Sequence, residues 1–81
     1  MIWLTGAQYV KDYEIKTYFN DGSQKIIDLK DEIFKDHRSI FKELQDIGLF
    51  QKVRFNPEAD TVEWPNGADL APEFLYTYQS H

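Results

Sequence analysis

The stretch Tyr13-Glu14-Ile15-Lys16-Thr17-Tyr18-Phe19 runs into the turn Asn20-Asp21-Gly22 and then into Ile26-Ile27-Asp28-Leu29. Apolar and polar residues alternate before the turn, which is the period of a half-buried strand. A loop of Asn20-Asp21-Gly22, with the glycine in the left-handed conformation, pairs Ile15 with Ile27. A loop of Asp21-Gly22 alone would pair Ile15 with Asp28. The longer loop is favoured because it creates one apolar face.

Two further segments extend this antiparallel pattern. A leading strand over residues 2–10, with a bulge at its glycine, precedes the first hairpin. A second hairpin follows over residues 52–64, where a loop at 57–60 pairs Phe55 with Val62 on one face. The sequence therefore predicts one sheet built from two hairpins and a leading strand.

A helix is predicted between the two hairpins. The apolar residues at helical spacing are Ile40, Phe41, Leu44 and Ile47. They predict an amphipathic helix over residues 39–47, with Ser39 as its N-cap and Gly48 just past its end. Asp46 is an alternative cap, for a second short turn. The charge-rich residues 30–36 predict either a short helical turn or a crossing loop.

A second helix is predicted at the end of the chain. Pro72 suits the first helical position, because the N–H that proline lacks has no partner there in any case. Glu73 in the first turn complements the helix dipole. Together these elements predict one domain over residues 1–81, of the α+β class. Its antiparallel sheet has the element order β-β-β-α-β-β-α, with one or two short helices packed on one face.

Composition and charge exclude several classes of protein. The chain has 81 residues, 42% of them hydrophobic, and a formal net charge of −5. This acidity repels phosphate backbones and anionic membranes, so direct nucleic-acid binding is not expected. There is no cysteine, hence no disulfide, and no leader or long apolar run is recognisable. We therefore expect a cytoplasmic protein without a membrane segment.

Groups that could support catalysis are few. The histidines are His37, in a polar connector, and His81, and we expect both to be solvated. Asp28, Asp31 and Glu32 cluster in sequence, but their spacing matches no calcium loop. The glycines stand singly at turns and form no phosphate cradle. We therefore expect no enzyme, and we name no catalytic, cofactor-binding or metal-binding residue.

The most specific motif is Trp64-Pro65-Asn66-Gly67-Ala68-Asp69-Leu70, followed by Ala71-Pro72-Glu73-Phe74-Leu75-Tyr76. This run resembles the closing signature of a bacterial family known as domain of unknown function 2442. The similarity extends to the opening strand ending in Ala7-Gln8-Tyr9, the first hairpin and residues 50–55, in the same order. It thus covers nearly the whole chain.

The resemblance implies a small α+β domain with an antiparallel sheet, for which it supplies no activity. Family members occur alone or joined to a helix-turn-helix segment, and some are encoded beside small toxin-like proteins. Ala71 stands here where relatives often carry a serine, which removes a capping oxygen. We expect no helix-turn-helix extension after His81, so we do not expect the DNA-binding role that extended relatives would have.

Two interpretations of the signature remain open, and its candidate residues are Trp64, Pro65, Asn66, Gly67, Asp69 and Tyr76. In the structural one, Trp64 anchors the sheet to a helix and Asn66-Gly67 makes a tight turn, while Asp69 binds free amides at the entrance of the terminal helix. In the functional one, exposed Trp64, Tyr76 and Tyr78 form an aromatic docking patch. The sequence does not decide between them.

Two hypotheses for function follow. The first is a non-enzymatic interaction module, whose more specific form is an acidic, antitoxin-like partner of a small basic protein. The partner is then another protein, such as a neighbouring-gene product, or a second copy paired through an exposed edge strand. The alternative is a small ligand-binding or enzymatic domain, which requires Asn66, Asp69 and Tyr76 to converge around a pocket.

Overall fold

The computed structural model describes residues 1–35 and 38–78, which form strands and short helices of an α+β fold. The strands are β1 Leu4–Lys11, β2 Glu14–Phe19, β3 Gln24–Asp28, β4 Arg54–Asn56, β5 Thr61–Glu63 and β6 Asp69–Leu70. The helices are α1 Lys30–Lys35, α2 Ser39–Lys42, α3 Ile47–Phe50 and α4 Pro72–Thr77, with a 3₁₀ turn Glu43–Gln45 between α2 and α3. The predicted fold class is confirmed.

The first sheet has the order β1-β2-β3, with both pairs antiparallel. Ile15 pairs with Ile27, so the register that creates one apolar face is confirmed. The predicted bulge is also present, as a shift in register between Leu4 and Gly6. A strand with one buried face specifies its register strongly, because a slip of one residue would turn its apolar side chains to solvent.

A second antiparallel sheet, in the order β4-β5-β6, replaces the single sheet that the sequence predicts. Phe55 pairs with Val62 as predicted. The third strand, β6, pairs Leu70 with Val62 and was not predicted. The two sheets meet where β1 contacts β4, and the Leu4 amide donates to Asp60 Oδ1 at 2.8 Å.

The helix predicted over residues 39–47 is interrupted. Asp46 has an extended backbone, φ −71° and ψ 111°, and its side chain accepts from the Gly48 amide at 3.0 Å. This cap starts α3, so the alternative interpretation of Asp46 is confirmed and the placement of Gly48 after a helix end is wrong. Ser39 is not the N-cap of α2 either, because Arg38 occupies that position.

The core lies between the sheets and the helices. Phe50, in α3, is fully buried at its centre, and its ring meets those of Tyr9, Tyr13 and Trp64 at centroid distances of 6.0, 5.4 and 5.6 Å. Burial of one such large apolar side chain stabilises a fold by about 1.5–3 kcal/mol. The aromatic residues of this chain therefore contribute much of its core.

Candidate functional site

The signature segment forms a hairpin that joins β5 to β6. The Gly67 amide donates to the Trp64 carbonyl at 3.0 Å, and the Trp64 amide donates to the Ala68 carbonyl at 2.9 Å. Gly67 has φ +95°, a conformation that side-chain-bearing residues rarely adopt. Pro65 is exposed at the start of the loop, where its fixed φ suits a turn. Pro65-Asn66-Gly67 is thus a hairpin loop, and the predicted tight turn at Asn66-Gly67 is confirmed.

Trp64 belongs to the core. Its side chain is 3% exposed, and its indole Nε1 donates to the Phe50 carbonyl at 3.1 Å. A buried indole needs such a partner, and here the partner is the C-terminal residue of α3. The predicted role of Trp64 as an anchor between sheet and helix is confirmed, whereas its exposure in an aromatic docking patch is wrong.

Asn66 fastens the hairpin to the helical segment. Its Nδ2 donates to the Ile40 carbonyl at 2.8 Å and to Glu43 Oε1 at 2.9 Å. Its Oδ1 accepts from the Ala68 amide at 3.1 Å. Because donors and acceptor of the amide all have partners, Asn66 holds the loop, α2 and the 3₁₀ turn together.

Asp69 does not cap the terminal helix. It lies exposed in β6, opposite Glu63 of β5, and its backbone is extended by this pairing. The N-cap of α4 is Ala71, which makes no side-chain capping bond. The prediction that Asp69 binds amides at the helix entrance is wrong, because strand pairing sets its position instead.

Tyr76 lies on the far side of α4, against the first hairpin. Its hydroxyl donates to Asp21 Oδ2 at 2.9 Å, and its ring packs on Phe19 at a centroid distance of 5.0 Å. The hydrogen bond raises the pKa of Tyr76. Hydrogen bonds from Ser23, with that of Tyr76, lower the pKa of Asp21. Tyr76 is 38% exposed, so this contact is a surface link between two elements.

Tyr78, the third residue of the aromatic patch, is half-buried at the end of α4. Burial raises the pKa of its phenol, and the carboxylates Glu32, Asp31 and Asp28 raise it further. The Lys25 ammonium reaches the carbonyls of Tyr76 and Tyr78 from β3. Tyr78 therefore lies near the acidic residues of β3 and α1, and its ring packs on that of Phe74 at a centroid distance of 5.3 Å.

The structure forms a groove that the sequence did not predict. It has a volume of about 200 Å³, and apolar side chains dominate its lining. Leu70, Ala71 and Phe74 are among its lining residues, and Ala71 is exposed. Glu32, Arg38 and Asp69 supply the polar part of the lining. In the sequence, only the apolar stripe of α4 that includes Phe74 could have indicated this groove. The strand β6, which supplies Leu70, has no recognisable pattern in the sequence.

The three residues of the ligand-binding alternative are not brought together. Asp69 lines the groove, but neither Asn66 nor Tyr76 does. The Asn66 side chain donates a hydrogen bond to the backbone of α2, and the Tyr76 hydroxyl donates one to Asp21. The three side chains therefore do not converge on one site.

Among residues 1–35 and 38–78, no group of three or more His, Asp or Glu side chains could hold a metal ion. His37 and His81 lie outside the described residues. No helix in the described part of the chain is long and apolar enough to cross a membrane.

The family profile described as "Protein of unknown function (DUF2442)" matches residues 4–80. The chain belongs to this family. The resemblance of the closing motif is thereby confirmed, and the DUF2442 match includes all candidate residues of the signature. Comparison with curated proteins and with solved structures gives no significant match.

Proposed function

We propose that this DUF2442 protein is a non-enzymatic interaction module that binds a basic partner through the groove beside α4. The observation that carries the proposal is the groove itself, with an apolar interior of about 200 Å³ and charged groups in its lining. Small-molecule sites usually measure about 300–1,000 Å³. The groove therefore suits one apolar side chain of a protein partner better than a whole metabolite.

The charge of the chain indicates the chemistry of that partner. The net charge is −5, and two of the cations are engaged in ion pairs, Lys35 with Glu32 and Arg54 with Glu63. Glu32 and Asp69 place carboxylates at the groove. A partner segment with Lys or Arg beside its apolar anchor would be steered to this surface. An acidic, antitoxin-like neutraliser of a small basic protein is the more specific form of the proposal.

Ala71 allows the groove to be blocked without disturbing the core. It is exposed, it lines the groove and its extended backbone, φ −77° and ψ 155°, accepts any L-residue. Ala71→Phe would place a large ring on the exposed part of the groove lining. Ala59→Phe is the matched control, because Ala59 is exposed in the loop between β4 and β5 and does not line the groove.

The test is affinity capture from a lysate of the source organism with the parent, Ala71→Phe and Ala59→Phe chains. A basic protein bound by the parent and by Ala59→Phe, but reduced at least about tenfold by Ala71→Phe (roughly 1.4 kcal/mol), supports the proposal. The binding is then measured with the purified pair at two salt concentrations. Equal binding by all three chains, with equal melting temperatures, contradicts the groove as the docking site.

A thermal-shift screen of metabolites tests whether the groove binds a small ligand instead of a protein. A ligand that binds only the folded state raises the melting temperature by mass action. A compound that stabilises the parent and Ala59→Phe, but not Ala71→Phe, would replace the protein partner by a small ligand in the same groove.

A further inference from the structure

Helix α4 depends on the first sheet for hydrogen bonds at its C-terminal end. Its N-cap, Ala71, makes no side-chain capping bond, and its last turn has no basic residue to stabilise the free carbonyl groups. The cation comes from β3 instead, because the Lys25 ammonium donates to the Tyr76 carbonyl at 2.9 Å and to the Tyr78 carbonyl. Isolated helices as short as Pro72–Thr77 are not stable in water. α4 therefore forms only when it is docked.

Both apolar and polar contacts dock α4 on the rest of the fold. Leu75 is fully buried and fixes the middle of the helix in the core. The Tyr76 hydroxyl donates to Asp21 at 2.9 Å, and the bonds from Lys25 complete the polar part. The ladders of the two sheets pair residues between 4 and 28 and between 54 and 70, so they end before α4 begins. α4 can therefore leave its place while both sheets stay paired.

The same helix forms one side of the groove. Phe74 and the N-cap residue Ala71 line it together with Ile33 of α1. The Phe74 ring packs on that of Tyr78 at a centroid distance of 5.3 Å, and the Tyr78 carbonyl is one of the two that Lys25 holds. The position of Phe74, and with it the width of the groove, depends on α4 being docked.

We propose that α4 opens and closes as one unit, and that Lys25 holds it in the closed position that completes the groove. Lys25 is a positioning residue, since it acts on the groove through the carbonyls of α4. Elements with few buried side chains and exposed hydrogen bonds open locally, at a lower free energy than that of global unfolding. α4 has two buried residues, Pro72 and Leu75. Its bonds from Tyr76 to Asp21 and from Lys25 to Tyr76 are exposed.

Hydrogen exchange of individual amides tests whether α4 opens alone. The Leu75 amide donates to the Ala71 carbonyl at 3.2 Å and reports α4. The Leu29 and Trp64 amides, each bonded at 2.9 Å, report the first and the second sheet. In the parent, the Leu75 amide should be at least about tenfold less protected than the other two. Equal protection of all three amides overturns the proposal, because α4 would then open only when the whole chain unfolds.

Substitutions at Lys25 test its role. Lys25→Met should raise the exchange of the Leu75 amide at least about tenfold, whereas Lys25→Arg keeps a cationic donor and should stay within about threefold of the parent. Lys16→Met is the matched control, because the Lys16 ammonium lies over the Tyr18 ring of the same strand. Tyr76→Phe is a milder variant that loses only the hydroxyl bond, and it should raise the exchange by a smaller factor. Unchanged exchange in Lys25→Met, or an equal rise in Lys16→Met, overturns the role of Lys25.

Asp60→Ala tests whether the opening is local. It removes the acceptor of the Leu4 amide at the junction of the two sheets, and this bond is present whether α4 is open or closed. The substitution should lower the melting temperature and leave the exchange of the Leu75 amide unchanged. Exchange of the Leu75 amide that rises in step with the lost stability overturns the proposal.

The effect on the groove rests on the proposed function and is measured separately. When the basic protein captured with the parent is added, the exchange of the Leu75 amide should slow by the same factor as that of the Leu29 amide, because only the closed chain has the complete groove. Slowing at Leu29 without slowing at Leu75 would show that binding does not need closed α4. A capture without any partner contradicts the proposed function alone, since the other exchange experiments need no partner.

Discussion

The loops Asn20-Asp21-Gly22 and Pro65-Asn66-Gly67 have the same backbone geometry in different surroundings. Each glycine has a positive φ, +88° at Gly22 and +95° at Gly67. Each glycine amide donates at 3.0 Å to the carbonyl of the residue before its loop. Those preceding residues, Phe19 and Trp64, are both 3% exposed. Both hairpins therefore combine a glycine in the left-handed region with a buried aromatic residue before the loop.

The residues before the two glycines determine which part of the fold each hairpin loop contacts. In the first loop, Asp21 is exposed and binds Ser23 and Tyr76 at the surface. In the second loop, Asn66 is partly buried and binds the backbone of α2. In this chain the signature segment thus forms a connection between the second sheet and the helices, in addition to a turn.

Among the substitutions that compare the two hairpins, Trp64→Ala should cause the largest loss in the free energy of unfolding. Truncating a buried aromatic side chain costs about 3–5 kcal/mol, and the Phe50 carbonyl would also lose its indole donor. Phe19→Ala should cost less, because a phenyl ring, unlike an indole, donates no hydrogen bond that the truncation would remove. Urea unfolding monitored by circular dichroism measures both values. A smaller loss for Trp64→Ala than for Phe19→Ala would contradict the assigned anchor role.

Asn66→Ala should come next, with a loss of about 2 kcal/mol, because partly buried backbone groups at Ile40 and Ala68 lose a partner. Asp21→Ala, at the equivalent place of the first loop, should cost less than Asn66→Ala, because Asp21 is exposed and its hydrogen-bond partners can bind water instead. The same unfolding experiment compares the two. Equal losses of unfolding free energy would contradict the different roles assigned to Asn66 and Asp21.

Gly22→Ala and Gly67→Ala should have equal effects, of about 1–2 kcal/mol each, since both place a Cβ in the left-handed region. A Cβ at Gly22 would meet nothing within 4 Å, and one at Gly67 would make an ordinary contact of 3.6 Å with Ile40 Cδ1. The cost is therefore conformational at both sites. Melting temperatures that differ by many degrees between the two variants would disprove the shared geometry.

The smallest expected effect is the pH dependence of stability that arises from Asp21. The pKa of Asp21 is lowered below its ordinary value of 3.8 by the hydrogen bonds from Ser23 and Tyr76. A depressed carboxyl pKa contributes stability that is complete above the unfolded pKa and is lost as pH falls through the folded pKa. The stability difference between the parent and Asp21→Ala should therefore shrink from pH 6 to pH 2. A difference that is constant over this range would exclude an effect of the Asp21 ionisation.

The first sheet could be predicted in detail, whereas the second could be predicted only in part. Residues 13–29 have a long alternation and a turn glycine, which fix both the strands and their register. β6 consists of only two residues, Asp69–Leu70, and two residues carry no period. Its pairing depends on the tertiary position of β5.

The helix and the groove show why local patterns were insufficient. The periodicity of residues 39–47 is helical, but the side chain of Asp46 competes for the Gly48 amide and starts a new helix. The groove draws Leu29, Phe41 and Phe74 from three distant parts of the chain. Only the packing of these elements creates it, so no single stretch of sequence could indicate it.

The bond from Leu4 to Asp60 has a consequence for the order of folding. All pairings of the first sheet lie within residues 4–28, so it forms by closing short loops. The Leu4 amide, by contrast, meets a carboxylate 56 positions away, and closing long loops costs more chain entropy. Contacts of large sequence separation slow folding. The docking of α4 on the first hairpin closes a loop of similar length, since Tyr76 meets Asp21 55 positions away. These two long-range steps therefore set the topological cost of reaching the native state.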